Sequence, residues 1–284
     1  MNGVRPFTIM LKDMEVMKVD FETLQYEILN EKYLPYPIRG KLRRMPDPGS
    51  IKSSYDMTQS MIAARKNEEA IVSWLANRIL LLSRANAKWI YNLFRFEQTG
   101  TDEQRVRIAM TCRAVSVSDS YWLKFDDDEE ITWSKVDVKQ NPLNEIVAQV
   151  ALHGKSLTPQ GSMITPELTT NGAYAKAWRR HPDGNLWLYK LGANGNTESR
   201  IEVMCSNLLD KMNVEHVHYE AGKDEDKYVC MCPCMTTEAK AILTGIEFIS
   251  YCNVNGMNPE EEMFRIDRES NLQDVDCGLP DQQP

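Results

Sequence analysis

Apolar positions recur along this chain with two different spacings, which predict both helices and strands. After a short extended start, apolar residues from Ser60 to Leu81 recur with the spacing of an amphipathic helix. Asn67-Glu68-Glu69 offers a start for that helix, and Ser83-Arg84-Ala85-Asn86 offers a break after it. We therefore predict that residues 1–100 form a mainly helical N-terminal region.

Residues 101–161 are predicted to form a mixed connecting segment. Thr101 and Gln104 have the spacing of a capping box, which indicates that a helix begins there. The acidic run from Asp126 to Glu130 lacks the spaced ligands and the glycine of a calcium-binding loop. A solvated turn therefore explains this run better than a calcium site does.

The pattern over residues 162–236 predicts a small antiparallel sheet with one helix. Asn171-Gly172 marks a turn before one strand, and a second strand ends near Lys190. A hairpin is predicted with strands over residues 216–219 and 228–232. The helix between these strand pairs has apolar residues at helical spacing, namely Ile201, Cys205, Leu208, Leu209 and Met212.

The last part of the chain, residues 237–284, is predicted to be helical, with one helix over residues 237–251. Taken together, the four parts predict an α+β chain. The composition agrees with a soluble globular protein, since 42% of the 284 residues are hydrophobic and 26% are charged. The formal net charge of -8 argues against nucleic acid as the main partner, because phosphate contacts need a basic surface.

The chain lacks the features of a secreted or membrane-spanning protein. The N-terminus shows no apolar leader, and the most apolar segment, residues 71–83, is too short to cross a bilayer. The seven cysteines do not have the spacing of a small disulfide scaffold. We therefore expect a cytoplasmic protein with free thiols.

Lys190 and Glu202 are the leading candidates for chemistry. A lysine in an apolar strand needs a phosphate or carboxylate partner if it is buried, whereas at a strand end it can reach water. Glu202 lies on the following helix, where it either orients Lys190 or is a surface residue favoured by the helix dipole, and Glu198 is a competing partner. A strand lysine paired with a helix glutamate is the arrangement that holds ATP phosphates in kinases.

Other candidate groups have open alternatives. Asn171-Gly172 permits backbone N–H groups to approach a polyphosphate, although Asn-Gly also marks ordinary hairpins. Cys230, Cys232 and Cys234 share one strand face, and buried thiols explain them better than zinc, which usually takes ligands from two separated pairs. His216 and His218 form either a metal pair or two same-facing strand residues, and the lack of a third ligand nearby favours the second interpretation.

In their order, these residues resemble the HipA-like serine/threonine kinase family, in its Firmicutes-type branch with an extra N-terminal region. The first motif that carries the resemblance comprises Trp74, Arg78 and Ser83-Arg84-Ala85-Asn86, and the second is the stretch Val115-Ser116-Val117-Ser118-Asp119-Ser120-Tyr121-Trp122-Leu123. The third is Trp133-Ser134-Lys135-Val136-Asp137 with Asn141-Pro142-Leu143. The fourth is Leu168-Thr169-Thr170-Asn171-Gly172 with Tyr189-Lys190.

The resemblance implies a kinase-like small lobe over residues 162–236 that binds ATP with Mg2+. Intact members transfer the γ-phosphoryl group to a serine or threonine of a protein substrate, and some are toxins restrained by an antitoxin. The nucleotide-binding residues that the resemblance implies are Asn171 and Gly172 in the loop over the phosphates, Lys190 with its partner Glu202, and Met231 and Cys232 in the hinge segment 231–235 that meets adenine.

The resemblance stops at the family's catalytic loop, N-x-D-R-H-x-x-N. Asp267-Arg268 is followed by Glu269 and Ser270 instead of the required histidine, and the stretch from Asn271 to Pro284 has no such motif. We therefore expect a kinase whose helical large lobe is truncated or frameshifted and whose transfer activity is lost. The alternative function is a non-catalytic module that binds nucleotide or a protein partner.

Overall fold

Two antiparallel sheets and a series of helices make up the computed structural model, which describes residues 3–272 apart from Glu129, Pro159 and Asn194. The predicted α+β class is confirmed, because helices and antiparallel sheets are both present. Within this described part of the chain, no helix combines the length and the apolar character needed to cross a membrane.

The first sheet has the strand order β3-β2-β1-β4. Its strands are β1 (Phe7–Leu11), β2 (Met14–Asp20), β3 (Gln25–Ile28) and β4 (Tyr121–Phe125). Ile9 lies at the centre of the sheet, opposite Met17 on β2 and Leu123 on β4, and all three side chains are fully buried. This apolar row packs into the main hydrophobic core of the molecule.

The extended start of the N-terminal region is longer than predicted, because β1, β2 and β3 occupy residues 7–28 before the first α-helix. β1 pairs with β4 as well as with β2, so part of the predicted connecting segment completes the N-terminal sheet. The extent of these strands was not predicted, for a physical reason. Four successive residues of β1 are buried, so its sequence lacks the apolar–polar alternation of a strand with one solvated face.

Five α-helices precede the second sheet in the described part of the chain: α1 (Ser54–Asn77), α2 (Ala87–Leu93), α3 (Asp102–Thr111), α4 (Trp133–Val136) and α5 (Glu145–His153). α1 begins earlier than predicted, because Ser53 and Asp56 form a capping box. Asn67 is instead a buried residue within α1, and its side chain bonds the backbone of Arg43. Thr101 caps α3 as predicted.

The second sheet has the strand order β5-β6-β8-β7. It comprises β5 (Ala175–Arg180), β6 (Leu186–Leu191), β7 (Glu220–Asp224) and β8 (Lys227–Pro233), with α6 (Thr197–Lys211) between β6 and β7. Ala177, Leu191 and Val229 on this sheet share one core with α5 and with the first sheet. The predicted boundaries after residues 100 and 161 therefore do not separate independent cores.

Two further helices follow the second sheet, α7 (Gly245–Val254) and α8 (Pro259–Leu272). The helix predicted over residues 237–251 begins only at Gly245, because Thr244 and Glu247 form a capping box that sets its start. The first strand of the predicted hairpin likewise lies a few residues later, in β7. The final stretch, residues 273–284, on which part of the truncation hypothesis rests, lies outside the described residues.

Candidate functional site

Lys190 and Glu202 form the centre of the candidate site. Lys190 projects from β6 and Glu202 from the second turn of α6, and Lys190 Nζ lies 3.2 Å from each oxygen of the carboxylate. The lysine side chain is 15% exposed and the glutamate side chain 33%, so this ion pair is only partly screened by water. The structure thus brings together the two side chains that the sequence singled out.

Tyr219 completes the surroundings of Lys190, and no pattern in the sequence indicated this residue. Lys190 Nζ donates a hydrogen bond of 2.6 Å to the Tyr219 hydroxyl and lies 4.4 Å from the centroid of the Tyr219 ring. Burial opposes the charge on Lys190, but the bond to Tyr219 and the charge of Glu202 outweigh it and raise the pKa of Lys190 above its usual value. Lys190 is therefore a cation at neutral pH.

Lys190 belongs to a row of three side chains across the second sheet, which we call the central row: Lys176, Lys190 and Cys230. Lys190 is directly opposite Lys176 on β5 and Cys230 on β8. Cys230 is fully buried, and its Sγ donates to Glu202 Oε2 at 3.0 Å. Burial and the neighbouring Glu202 raise the pKa of Cys230 to about 12, so the thiol stays protonated and helps to hold the carboxylate.

Lys176 connects the central row to the glycine loop, by which we mean residues 168–174. Its side chain is buried, and its Nζ donates to the Asn171 carbonyl at 2.8 Å. Burial, with the nearby charges of Arg84 and Lys190, lowers the pKa of Lys176 to about 8. Gly172 has a φ of 108°, and a Cβ there would lie 2.3 Å from Lys176 Nζ, so this position requires glycine.

Arg84 anchors the glycine loop to the N-terminal part of the chain. Its guanidinium group donates to three backbone carbonyls, those of Glu167, Thr170 and Lys176. Burial lowers the pKa of Arg84 to about 10, which still leaves it charged at neutral pH. The buried Glu167 carboxylate, which accepts the Trp178 N–H, lies close enough to favour that charge. The loop is therefore held on one side by a buried cation.

In the glycine loop, three backbone carbonyl groups accept hydrogen bonds within the protein, whereas two backbone N–H groups do not donate any to the described residues. The carbonyls of Thr170, Asn171 and Ala173 accept hydrogen bonds from Arg84, from Lys176 and from a backbone N–H, respectively. In contrast, the N–H groups of Gly172 and Ala173 have no acceptor in the part of the chain that the structure describes. Successive N–H groups without acceptors next to a lysine form an environment suited to an anion.

A cavity of about 460 Å³ lies against the glycine loop. Asn171, Gly172 and Ala173 line one side of it, and the start of α7, from Thr244 to Glu247, lines the other side. Arg84 and Arg105 contribute cations to the lining, and Glu247 contributes a carboxylate. Lys190 is not among the residues that line this cavity.

The two predicted hinge residues occupy different faces of β8. Cys232 pairs with Leu188 and lies on the same face as Lys190, whereas the Met231 side chain lies on the opposite face and packs against the main core. The Met231 backbone is paired on both sides, with Tyr189 and with Glu220. β7 ends its pairing there, so the free edge of β8 begins after Met231. The residues of β8 and its continuation that have no β7 partner therefore lie within the predicted hinge segment 231–235, beyond Met231.

The remaining candidate groups have specific positions. Asp127 and Asp128 of the acidic run are paired with Arg5 and Arg113, which agrees with a surface turn. The six cysteines within the described residues are all free. Cys230, Cys232 and Cys234 do not form a group with metal-binding geometry, whereas the two histidines of residues 216–218 do so with a third residue that the sequence did not reveal.

Comparison with known proteins found no matching family model, no matching curated protein and no matching solved structure.

Proposed function

We propose that this chain binds the phosphate groups of an ATP-like nucleotide at the Lys190–Glu202 ion pair. The observation that carries the proposal is the pair itself, a strand lysine held at 3.2 Å by a carboxylate on the following helix. Enzymes of the protein-kinase type use such a lysine–glutamate pair to position nucleotide phosphates. The neighbouring glycine loop, bonded through Lys176, supports the same interpretation.

Each side chain of the site has a role in this proposal. Lys190 contacts a phosphate oxygen, and Glu202 limits the orientations of its ammonium group. Lys176 lies one strand away and adds a second cation. The N–H groups of Gly172 and Ala173 donate to phosphate oxygens. They are available for this because neither has an acceptor among the described residues.

The base of the nucleotide is proposed to lie toward the end of β8. Cys232 shares the sheet face of Lys190, so it is placed to contact an apolar ring. Residues 233–235 follow the last strand pairing with β7. Pro233 has no N–H and the Cys234 N–H is bonded to the Leu186 carbonyl, so the Pro233 carbonyl and the Met235 N–H are the backbone groups proposed to meet the base. Met231 takes no direct part in this arrangement, since its side chain packs on the other side of the sheet.

Mg2+ enters the proposal only as part of the incoming nucleotide. Glu202 is the carboxylate bonded to the central row, and its oxygens are already engaged by Lys190 and Cys230. Mg2+ commonly binds substrate phosphates while it keeps several waters. The described residues therefore fit nucleotide phosphates better than a magnesium ion held by the protein.

The class of activity follows from the resemblance to HipA-like kinases and remains part of the proposal. In that interpretation the γ-phosphoryl group passes to a serine or threonine of a protein substrate, in the reducing cytoplasm where the free thiols persist. The second candidate function is a module that binds nucleotide, or an antitoxin-like protein, without turnover. It is favoured by the residues Glu269 and Ser270, which depart from the catalytic-loop motif.

The proposal is tested by measuring nucleotide affinity by calorimetry for the full chain and for Lys190→Ala. Loss of a charge-assisted hydrogen bond costs about 1.5–3 kcal/mol, so we expect the variant to bind ATP about 10- to 100-fold more weakly. Lys223→Ala is the matched control, because Lys223 is an exposed lysine on β7 of the same sheet. That control should bind ATP as the unmodified chain does.

Incubation with radiolabelled ATP separates the two candidate functions. Phosphate incorporation that depends on Lys190 supports the kinase, whereas ATP binding without incorporation supports the module. Equal ATP affinity for the unmodified chain and Lys190→Ala, or no ATP binding at millimolar nucleotide, would contradict the binding proposal itself.

A further inference from the structure

A cluster of three metal-binding side chains lies at the end of α6, away from the Lys190–Glu202 pair. We call it the histidine cluster: Asp210, His216 and His218. Asp210 is on the last turn of α6, and the chain then reverses through residues 212–215 so that both histidines face it. Asp210 Oδ1 lies 3.6 Å from His216 Nε2, and Asp210 Oδ2 lies 3.2 Å from His218 Nδ1. All three ligand atoms lie within 4.8 Å of one another.

Hydrogen bonds to His216 fix which of its ring nitrogens faces the cluster. His216 Nδ1 lies 2.8 Å from the Val214 carbonyl, which can only accept, so Nδ1 carries the proton. The Ser206 hydroxyl oxygen accepts the Tyr219 N–H at 2.9 Å and lies 2.9 Å from His216 Nε2. His216 is thereby held with Nε2, rather than Nδ1, toward Asp210.

This arrangement is the one found around metal-binding histidines. Such a histidine usually donates its other ring N–H to a carboxylate or a backbone carbonyl, which sets the tautomer and the ring orientation. Val214 supplies that carbonyl here. His216 is only 13% exposed, whereas His218 and Asp210 are about half exposed, so the cluster has one fixed ligand and two that can adjust.

We propose that Asp210, His216 and His218 form a binding site for a divalent transition metal, with Zn2+ as the ion that fits best. Zn2+ takes imidazole nitrogens and carboxylate oxygens at about 2.0–2.2 Å, which places ligand atoms of a tetrahedron about 3.4 Å apart. The two measured separations from Asp210 are close to this value, and rotation of the exposed His218 closes the third. Water completes the coordination.

The position of the cluster gives the ion a structural effect. Ser206 links His216 to the backbone of Tyr219, and the Tyr219 hydroxyl bonds Lys190. An ion at the cluster fixes the extended segment before β7, which carries Tyr219. We therefore expect Zn2+ to raise the thermal unfolding midpoint of the protein, because a ligand that binds only the folded state stabilises it. This inference does not depend on nucleotide binding.

The site is tested by titrating the metal-free full-length chain with Zn2+ and measuring stoichiometry and affinity. We expect one ion per chain, and at least about 10-fold weaker binding in Asp210→Asn and in His218→Ala, since loss of even an outer-shell contact costs about 10- to 100-fold. Both side chains are exposed, so these variants should fold, and circular dichroism checks that they do. His181→Ala is the matched control, because His181 lies in the β5–β6 turn.

Cobalt provides a readout of ligand type that distinguishes the cluster from the cysteines of β8. A site made of imidazole and carboxylate gives visible cobalt bands without the intense near-ultraviolet absorption of cobalt–thiolate bonds. We expect that result. The proposal is overturned if Zn2+ fails to bind at millimolar concentration, if Asp210→Asn and His218→Ala bind it as tightly as the unmodified chain, or if cobalt shows thiolate absorption.

Discussion

The two sheets of this protein have the same size and the same antiparallel pairing, but their central rows differ in chemistry. In the first sheet the row consists of Ile9, Met17 and Leu123, all fully buried. In the second sheet the corresponding place is taken by the central row, in which two lysines lie next to a buried thiol. One sheet therefore buries apolar surface, whereas the other brings cations together on one face.

Within one core, the apolar row of the first sheet contributes stability, whereas the central row of the second sheet forms the candidate functional site. Burial of apolar side chains stabilises the fold, whereas burial of Lys176 costs free energy unless its charge is compensated. Residues that break the local rules of folding without a stabilising gain concentrate at functional sites. The central row of the second sheet is such a place. Substitutions in the apolar row should therefore lower the free energy of unfolding, whereas substitution of Lys176 should raise it.

The largest effect is expected for the apolar row. Ile9→Ala removes a fully buried side chain at the centre of the first sheet and should lower the free energy of unfolding by about 2–5 kcal/mol. Ile9→Val, which removes one methylene group, should cost about 0.5–1.5 kcal/mol. Urea unfolding followed by tryptophan fluorescence measures both. A cost below about 1 kcal/mol for Ile9→Ala would mean that this row does not stabilise the core.

A somewhat smaller effect is expected for the residue that anchors the glycine loop. Arg84→Met removes the donors to three backbone carbonyls, and each buried group left without a partner costs about 1 kcal/mol or more. We expect a loss of about 3 kcal/mol in the free energy of unfolding. Arg200→Met is the control, since Arg200 is exposed on α6 and its substitution should change stability by less than about 1 kcal/mol. Similar losses in both variants would exclude the anchoring role.

The smallest effect, and the one of opposite sign, is expected for the central row. The pKa of Lys176 is lowered from 10.5 in the unfolded chain to about 8 in the folded protein, so below pH 8 the folded state carries a buried charge at a cost. Lys176→Met removes that cost, and we expect the variant to be about 1–2 kcal/mol more stable than the unmodified chain at pH 7.

The advantage of Lys176→Met should shrink as the pH rises from 8 to 10.5. In this window the unfolded chain binds more protons at Lys176 than the folded protein does, so the unmodified chain gains stability with pH. Unfolding of both proteins across the window measures the difference, and Lys223→Met, at an exposed position, should show no such trend. A difference that stays constant with pH would contradict the lowered pKa of Lys176.

Part of the site could be predicted from the sequence, because it depends on residues that are close along the chain. The strand that ends near Lys190 and the helix that carries Glu202 follow each other directly, so local spacing was enough to predict their meeting. The same holds for Gly172 in its turn. The apolar spacing of α6 also predicted the helix, but Ile201, Leu208 and Met212 are exposed, because the helix packs on the sheet through a more polar face.

The sequence alone determined the α+β class and the strand–helix unit of the second sheet, and it limited the partners of Lys190 to Glu202 or Glu198, because each depends on propensity and periodicity over short distances. Only the tertiary structure decided that residues 7–28 form strands, that Lys176 and Tyr219 join the site, that Arg84 anchors the glycine loop and that Asp210 meets two histidines. The reason is physical. These contacts join positions that strand order and helix packing bring together. Neither composition nor spacing along the chain indicates that such positions are close in space.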